Sequence, residues 1–120
     1  MLKEYLNNLE TFEDIYNYCN VHLKDYYKNR IYELYSLVMQ EEDQEFCLQS
    51  LRCLVYFIKN ISVDIDNPSI TISENGLFYL HCKINKSSYT IRFKSLEEVN
   101  YILDHKSYSS TIYSLLDILN

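Results

Sequence analysis

The chain has 120 residues, a formal net charge of −6 at pH 7 and 48% hydrophobic residues. Its length suits a single domain spanning residues 1–120 with one core, and its hydrophobic content argues against wholesale disorder. The acidic balance disfavours nucleic acid as a direct partner, because phosphate binding requires a basic surface.

The apolar runs are too short for a membrane span, which needs roughly 18 or more consecutive apolar residues. The first residues, Met-Leu-Lys-Glu-Tyr-Leu, lack the apolar region of a signal peptide. We therefore expect a cytoplasmic protein with no membrane partner. The residues Asn, Lys, Ile and Tyr are abundant, with 13 tyrosines, and indicate an AT-rich genome. A tyrosine alone is therefore weak evidence of function.

Helical spacing of apolar residues dominates the first half of the chain. A short helix is compatible with residues 2–9, and Thr11 is a suitable cap for a helix over residues 12–39. A break near residues 21–25 is an open alternative that would turn this long helix into a hairpin. Residues 40–45 form an acidic turn, and a second stripe predicts a helix over residues 43–60.

The segment over residues 70–93 alternates apolar and polar side chains and contains the only glycine, Gly76. This pattern predicts a three-stranded antiparallel meander. A two-residue turn at Asn75-Gly76 would put the apolar residues of the first two strands on opposite faces. A three-residue loop, with Gly76 in the left-handed region, instead aligns Ile72 with Phe78 on one face, and we predict this loop.

A second loop over residues 85–88 then pairs Ile84 with Tyr89 and Leu80 with Phe93. The predicted core face consists of Ile70, Ile72, Phe78, Leu80, Cys82, Ile84, Tyr89, Ile91 and Phe93. The predicted outer face consists of Tyr79, His81, Lys83, Thr90, Arg92 and Lys94. A sheet with one apolar face requires a cover, which the helices supply.

After the meander, Ser95 and Glu98 match a capping box and predict a helix over residues 96–103. Residues 105–109 are expected to form a loop, and residues 110–119 a last helix. The predicted fold is therefore α+β: N-terminal helices, a three-stranded antiparallel meander and C-terminal helices, with helices covering one sheet face.

The signals for metal binding and catalysis are weak. The four cysteines, which are expected to be buried free thiols, are Cys19, Cys47, Cys53 and Cys82. Cys19 and His22 have a C-x-x-H spacing, but a zinc site needs about four ligands and no second pair is found. The chain has no Gly-rich phosphate loop, nucleophile elbow or H-E-x-x-H motif. We expect no metal, no cofactor and no catalysis.

The distribution of charge is more informative. Acidic residues gather on predicted helices and connectors, which suits either an ordinary helix surface or a face for a basic protein partner. The predicted partner-binding residues are Glu41, Glu42, Asp43, Glu45, Asp64, Asp66, Tyr27 and Tyr32. Tyr5 and Tyr18 belong to the same group of tyrosines expected to be exposed, because tyrosine is enriched in interface hot spots.

The chain resembles small, acidic bacterial immunity and antitoxin proteins from AT-rich genomes, which occlude the active site of a cognate toxin. Its segment over residues 67–80, with an alternating strand, the turn Glu-Asn-Gly and a second strand, is similar to a sheet motif of small bacterial proteins. Where those proteins often carry Trp at the end of the second strand, this chain has Cys82.

The resemblance implies a non-catalytic inhibitor of a basic toxin such as a nuclease. One alternative is a phage anti-defence protein, similar to an anti-CRISPR, whose acidic surface mimics nucleic acid. Another is a small phosphoester-binding enzyme that uses Tyr79, His81 and Arg92. A DNA-binding regulator is disfavoured by the negative charge. The oligomeric state is left open.

Overall fold

The computed structural model describes residues 8–42 and 44–120. Its helices are α1 (Phe12–His22), α2 (Asp25–Met39), α3 (Leu48–Asn60) and α4 (Ile112–Leu119). Its strands are β1 (Asp66–Ile72), β2 (Phe78–Ile84), β3 (Ser87–Ser95), β4 (Glu98–Leu103) and β5 (Lys106–Ser110). The strands form one antiparallel sheet in the order β1-β2-β3-β4-β5. The α+β class is confirmed, whereas the predicted three strands are five.

Helices α1 and α2 form a hairpin, so the single helix predicted over residues 12–39 is wrong and the open alternative, a break near residues 21–25, is the observed structure. The Thr11 hydroxyl caps α1 by accepting a hydrogen bond from the Asp14 amide at 3.1 Å. Leu23 and Lys24 are extended and separate the two helices. The predicted helix over residues 2–9 falls largely outside the described residues. No helix in the described ranges is long and apolar enough to cross a bilayer.

Helix α3 begins at Leu48 rather than near residue 43, because the preceding segment contacts the β1–β2 turn. The Cys47 amide donates to the carbonyl of Gly76 at 3.1 Å, and the Glu45 amide donates to the carbonyl of Glu74 at 3.4 Å. These donors are therefore used in tertiary contacts before the helix begins. The segment crosses the turn and positions α3 on the sheet.

The predicted register between β1 and β2 is confirmed. Ile72 pairs with Phe78 across the loop, and the Gly76 amide donates to the Ser73 carbonyl at 3.0 Å. Gly76 has φ +82°, as the three-residue loop requires. The apolar faces of the two strands therefore point together into the core.

The predicted register between β2 and β3 is wrong by two residues. Ile84 pairs with Ser87, and Leu80 pairs with Ile91 rather than Phe93. The connection is a two-residue turn in which Asn85 and Lys86 have φ of 53° and 70°. Because side chains alternate with a period of two, a slip of two residues leaves every side chain on its predicted face.

The predicted helix over residues 96–103 and the loop over residues 105–109 are also wrong. Glu98–Leu103 forms β4, whose buried Val99 and Tyr101 alternate with more exposed residues. A second two-residue turn, Asp104 and His105 with φ of 51° and 68°, leads into β5. Ser95 and Glu98 pair across the β3–β4 turn instead of forming a helix cap.

The core lies between the helices and one face of the sheet. Phe78, Leu80 and Ile91 on this face are fully buried, and Phe57 of α3 contacts Phe93 at a ring-centroid distance of 5.5 Å. The fully buried Ser50 hydroxyl of α3 donates to the Phe93 carbonyl and accepts from the Phe78 amide at 2.7 Å. Helix α3 is thereby fixed to both β2 and β3.

The two edges of the sheet differ in their cover. Helix α2 lies along β1, where the Tyr26 hydroxyl donates to the Pro68 carbonyl and Arg30 Nε donates to the Ile70 carbonyl at 3.0 Å. In contrast, Lys106 to Ser109 of β5 are exposed. Among the described residues, the side chains of the outer sheet face, opposite the core, are exposed or partly exposed between these edges.

Candidate functional site

The acidic segment between α2 and α3 is exposed but held in place. Glu41, Glu42 and Glu45 are exposed, whereas Asp43 lies outside the described residues. The Gln44 Nε2 atom donates to the carbonyls of Ser73, at 2.7 Å, and Glu74, at 3.2 Å. The segment is thus fastened to the β1–β2 turn, which presents its carboxylates on a fixed frame.

A cluster of aromatic rings in mutual contact adjoins this segment, and we call it the aromatic cluster. It consists of Phe12 and Tyr16 of α1, Tyr32 and Tyr35 of α2, and Phe46. The rings of Phe12 and Tyr35 are stacked at a centroid distance of 3.6 Å. Phe46 directly follows Glu45 in the sequence and packs edge-on against the buried Phe78 at 5.6 Å. The cluster therefore joins the acidic segment to the core.

Tyr32 is the most exposed ring of this cluster, with 50% of its surface accessible. The expectation that Tyr32 is exposed is therefore confirmed. Its ring lies 5.1 Å from that of Tyr16 and 6.5 Å from that of Phe12. These contacts restrict the orientation of the Tyr32 ring, so the side chain would lose little further conformational freedom on binding a partner.

The expectation that Tyr18 and Tyr27 are exposed is wrong, because only 4% and 8% of their surfaces are accessible. Tyr27 lies in phase with Ile31, Leu34 and Val38 on the buried stripe of α2. Burial raises the pKa of the Tyr27 hydroxyl. The position of Tyr27 on this apolar stripe, and of Tyr32 off it, was a signal in the sequence that Tyr27 is buried and Tyr32 exposed. Tyr5 lies outside the described residues.

Asp64 and Asp66 form a different surface from the acidic segment. They lie at the start of β1, whereas the acidic segment lies beside its end, about 20 Å away along seven residues of strand. Asp64 and Asp66 line a hollow of about 390 Å³ together with Tyr27 and two lysines, Lys24 and Lys59. The structure thus divides the predicted partner-binding residues into two groups.

The outer sheet face carries a row of polar residues across β2 to β5. Tyr79, Arg92, Asn100 and Ser109 occupy successive paired positions in this row. Arg92 Nε donates to Asn100 Oδ1 at 3.1 Å, and Asn100 Nδ2 donates to Ser109 Oγ at 2.7 Å. A shallow hollow of about 350 Å³ lies over these residues.

The predicted basic group on this face is only partly assembled. Tyr79 and Arg92 line the hollow, but His81, Lys83 and Lys94 do not. The His81 ring bridges Thr71 and Thr90 at 3.2 and 3.3 Å. Lys94 forms an ion pair with Glu98 at 3.4 Å. Arg92 is therefore the cation of this face that could contact a ligand in the hollow.

Three of the four thiols, those of Cys19, Cys53 and Cys82, are buried as expected, whereas the expectation that Cys47 is buried is wrong because it is partly exposed. Burial raises the pKa of Cys19 to about 12 and that of Cys82 to about 11, and it also raises that of Cys53. His22 is exposed and its ring lies 4.2 Å from that of Tyr18. No group of three or more His, Cys, Asp or Glu residues that could hold a metal ion occurs in residues 8–42 and 44–120.

Comparison of the chain with protein-family models, curated proteins and solved structures gives no match. Two surfaces formed by the described residues are candidate binding sites. The first is the acidic segment with the aromatic cluster, and the second is the hollow on the outer sheet face.

Proposed function

We propose that the protein is a non-catalytic, cytoplasmic inhibitor that binds a basic protein partner and covers its active site. This is the mode of action of an immunity or antitoxin protein on a toxin such as a nuclease. The proposed contact surface consists of Glu41, Glu42, Asp43 and Glu45 with the aromatic cluster, and we call it the acidic–aromatic surface. The observation that carries the proposal is the half-exposed Tyr32, held against Tyr16 in a ring cluster that Phe46 joins to the anchored segment of exposed carboxylates.

The carboxylates and rings of this surface suit the same kind of partner. Exposed carboxylates attract a basic surface over several ångströms and speed its association, particularly at low salt. The face of a tyrosine ring accepts the cationic head of Lys or Arg, an interaction of about 0.5–2 kcal/mol. Glu41, Glu45 and Tyr32 are therefore complementary to the phosphate-binding surface of a nuclease.

Rigidity of the surface favours tight binding. Ordering a mobile side chain at an interface costs about 0.5–1.5 kcal/mol, and rings that are already packed avoid most of this loss. Phe12 and Tyr35 stack in parallel, with an interplanar angle of 1°, and Phe46 anchors them to the core. We therefore expect Tyr32, supported by these rings, to be the energetic centre of the interface.

The test uses a basic protein that the tagged chain captures from its native host and that is then purified. Association and dissociation rates are measured by biolayer interferometry at low and physiological salt. The variant E41Q/E42Q/D43N/E45Q is expected to lower the association rate at low salt by about tenfold or more, since steering is electrostatic. Tyr32→Ala is expected to raise the dissociation rate by about tenfold or more.

The control for charge is D64N/D66N, which removes two carboxylates from the other acidic group and should leave both rates unchanged. Its matched counterpart is E41Q/E42Q, which removes the same number from the acidic segment and should lower the association rate at low salt. The captured protein must also lose its activity when the wild-type chain is added. Equal effects of the two double variants, E41Q/E42Q and D64N/D66N, would indicate dependence on net charge alone. That result, or a captured partner that is acidic or retains its activity, would refute the proposal.

A phage anti-defence protein would use this surface in the same way, because it too would bind a basic protein. Capture distinguishes the two roles through the identity of the partner, a toxin or a component of a defence system. The separation of Asp64 and Asp66 from the acidic segment argues against one continuous mimic of nucleic acid. The acidic–aromatic surface therefore favours recognition of a protein by a compact patch.

A further inference from the structure

The outer sheet face has a cation at its centre and acids at its margins. Arg92 lies on the central strand β3 and is partly buried. Asp66 lies opposite Lys83 on the edge strand β1, and Glu98 is paired with Lys94. Within the described residues Arg92 forms no ion pair, although the sequence has 17 acidic residues. Its charge is therefore available to a ligand.

Neighbouring side chains fix the position of the Arg92 guanidinium. Its Nε and Nη2 atoms both donate to Asn100 Oδ1, and Asn100 Nδ2 donates to Ser109 Oγ. These bonds use two of the five N–H donors of a guanidinium. The other three have no protein acceptor in the described part of the chain. A guanidinium held in this way is prepared to donate two parallel hydrogen bonds to an oxyanion.

The hollow beside Arg92 offers both apolar and polar contacts. Its volume of about 350 Å³ is in the range of small-molecule sites. Tyr79 and Ile102 contribute apolar walls, and Thr90, Ser107 and Ser109 contribute hydroxyl groups. This combination suits a ligand with a small aromatic body and one anionic group.

We propose that this hollow is a binding site for a small aromatic oxyanion, either a carboxylate or a phosphate ester. Arg92 would bind the anionic oxygens, and the ring of the ligand would lie between Tyr79 and Ile102. Binding is non-covalent and needs no other cofactor. The site is distinct from the acidic–aromatic surface, because its residues come from β2 to β5 rather than from α1, α2 and residues 41–46.

The experiment is titration of the ¹⁵N-labelled chain with benzoate, phenyl phosphate, inorganic phosphate and neutral benzyl alcohol, followed by NMR. Benzoate or phenyl phosphate is expected to shift the Arg92 Nε–Hε and Asn100 side-chain signals and the amides of residues 107–109. Benzyl alcohol should have no such effect. The ester and the carboxylate are distinguished by which of the two ligands binds more tightly.

Arg92→Gln is expected to weaken binding of the better ligand about tenfold or more, because a charged hydrogen bond is lost. The matched control Lys94→Gln removes the same charge from the same strand but outside the hollow, and should weaken binding by about twofold or less. If Arg92→Gln does not fold, Ser107→Asp gives a second test. Its carboxylate would compete for the same donors, and the same weakening is expected.

Three results would overturn the proposal. The first is the absence of shifts with either aromatic anion at about 10 mM, which would place the Kd far above that concentration. The second is evidence of diffuse electrostatic attraction. Such evidence would be equal weakening of binding by Arg92→Gln and Lys94→Gln, or binding of inorganic phosphate as tight as that of phenyl phosphate. The third is a set of shifts centred on residues 41–46 instead of the hollow.

Discussion

Gly76 lies at the contact between the β1–β2 turn and the acidic segment, and its replacement by alanine tests that contact. Its φ of +82° lies in the left-handed region, where a residue with Cβ is strained by roughly 1–2 kcal/mol. A Cβ atom would also lie 2.7 Å from the carbonyl oxygen of Glu45 and 2.8 Å from the amide nitrogen of Cys47. Both are backbone atoms, so a rotamer change cannot relieve the clash.

Relief therefore requires the turn and the segment over residues 44–47 to separate. Separation breaks the hydrogen bond from the Cys47 amide to the Gly76 carbonyl, and it weakens the Gln44 side-chain bonds to Ser73 and Glu74. Each such bond contributes about 0.5–1.5 kcal/mol. Together with the left-handed strain, Gly76→Ala is expected to lower the free energy of unfolding by about 2–5 kcal/mol.

Urea unfolding followed by circular dichroism gives this value, and two further variants separate its causes. Asn85→Ala replaces an exposed residue with φ of 53°, so it measures the left-handed strain alone, about 1 kcal/mol. Gly76→Asn adds the same Cβ with less left-handed strain, and should cost about 1 kcal/mol less than Gly76→Ala. A Gly76→Ala cost no larger than that of Asn85→Ala would refute the close approach of the turn to residues 45–47.

Three further outcomes are expected. Leu80→Ala should lower the free energy of unfolding by roughly 2–5 kcal/mol, because Leu80 is fully buried. His81→Ala, on the outer face, should lower it by about 1 kcal/mol or less. The reverse order in urea unfolding would contradict the assignment of Leu80 to the core face of β2. In the folded protein a thiol reagent should react first with the partly exposed Cys47, and Cys47→Ser should abolish this fast phase. The free energy of unfolding should be fully retained below the ordinary thiol pKa of 9.0 and should fall as the pH rises from 9.0 towards 12, because the pKa of Cys19 is raised to about 12 and that of Cys82 to about 11 in the fold. A free energy of unfolding that rises across this range would contradict burial of these thiols.

The sequence was sufficient wherever one local pattern determined one structure. Apolar spacing predicted the helical regions within residues 12–39 and 43–60, because a helix must bury one continuous stripe, but it left open the break between α1 and α2. Alternation together with Gly76 gave the β1–β2 register, since only one loop length keeps Ile72 and Phe78 on the same face. The membership of the core and outer faces followed from the same period of two.

Elsewhere the tertiary structure decided between two local patterns. Ser95 and Glu98 form a valid capping signal, but Val99 and Tyr101 also alternate, and pairing with β3 in the open sheet selected the strand. The alternation of apolar and polar residues could not determine the β2–β3 register, because a shift of two residues buries and exposes the same side chains. Asn85 is a residue type that favours left-handed φ values, but Lys86 is not, so the residue types alone do not identify the two-residue turn.

The same division holds for the candidate sites. The sequence identified Glu41, Glu42 and Glu45 as an exposed acidic group, because unpaired carboxylates are almost never fully buried. It could not show that Phe46 joins this group to the rings of α1 and α2, or that Arg92 and Asn100 meet across two strands. Both arrangements depend on contacts between residues far apart in the chain, and only the packing of the helices and the pairing of the strands bring these residues together.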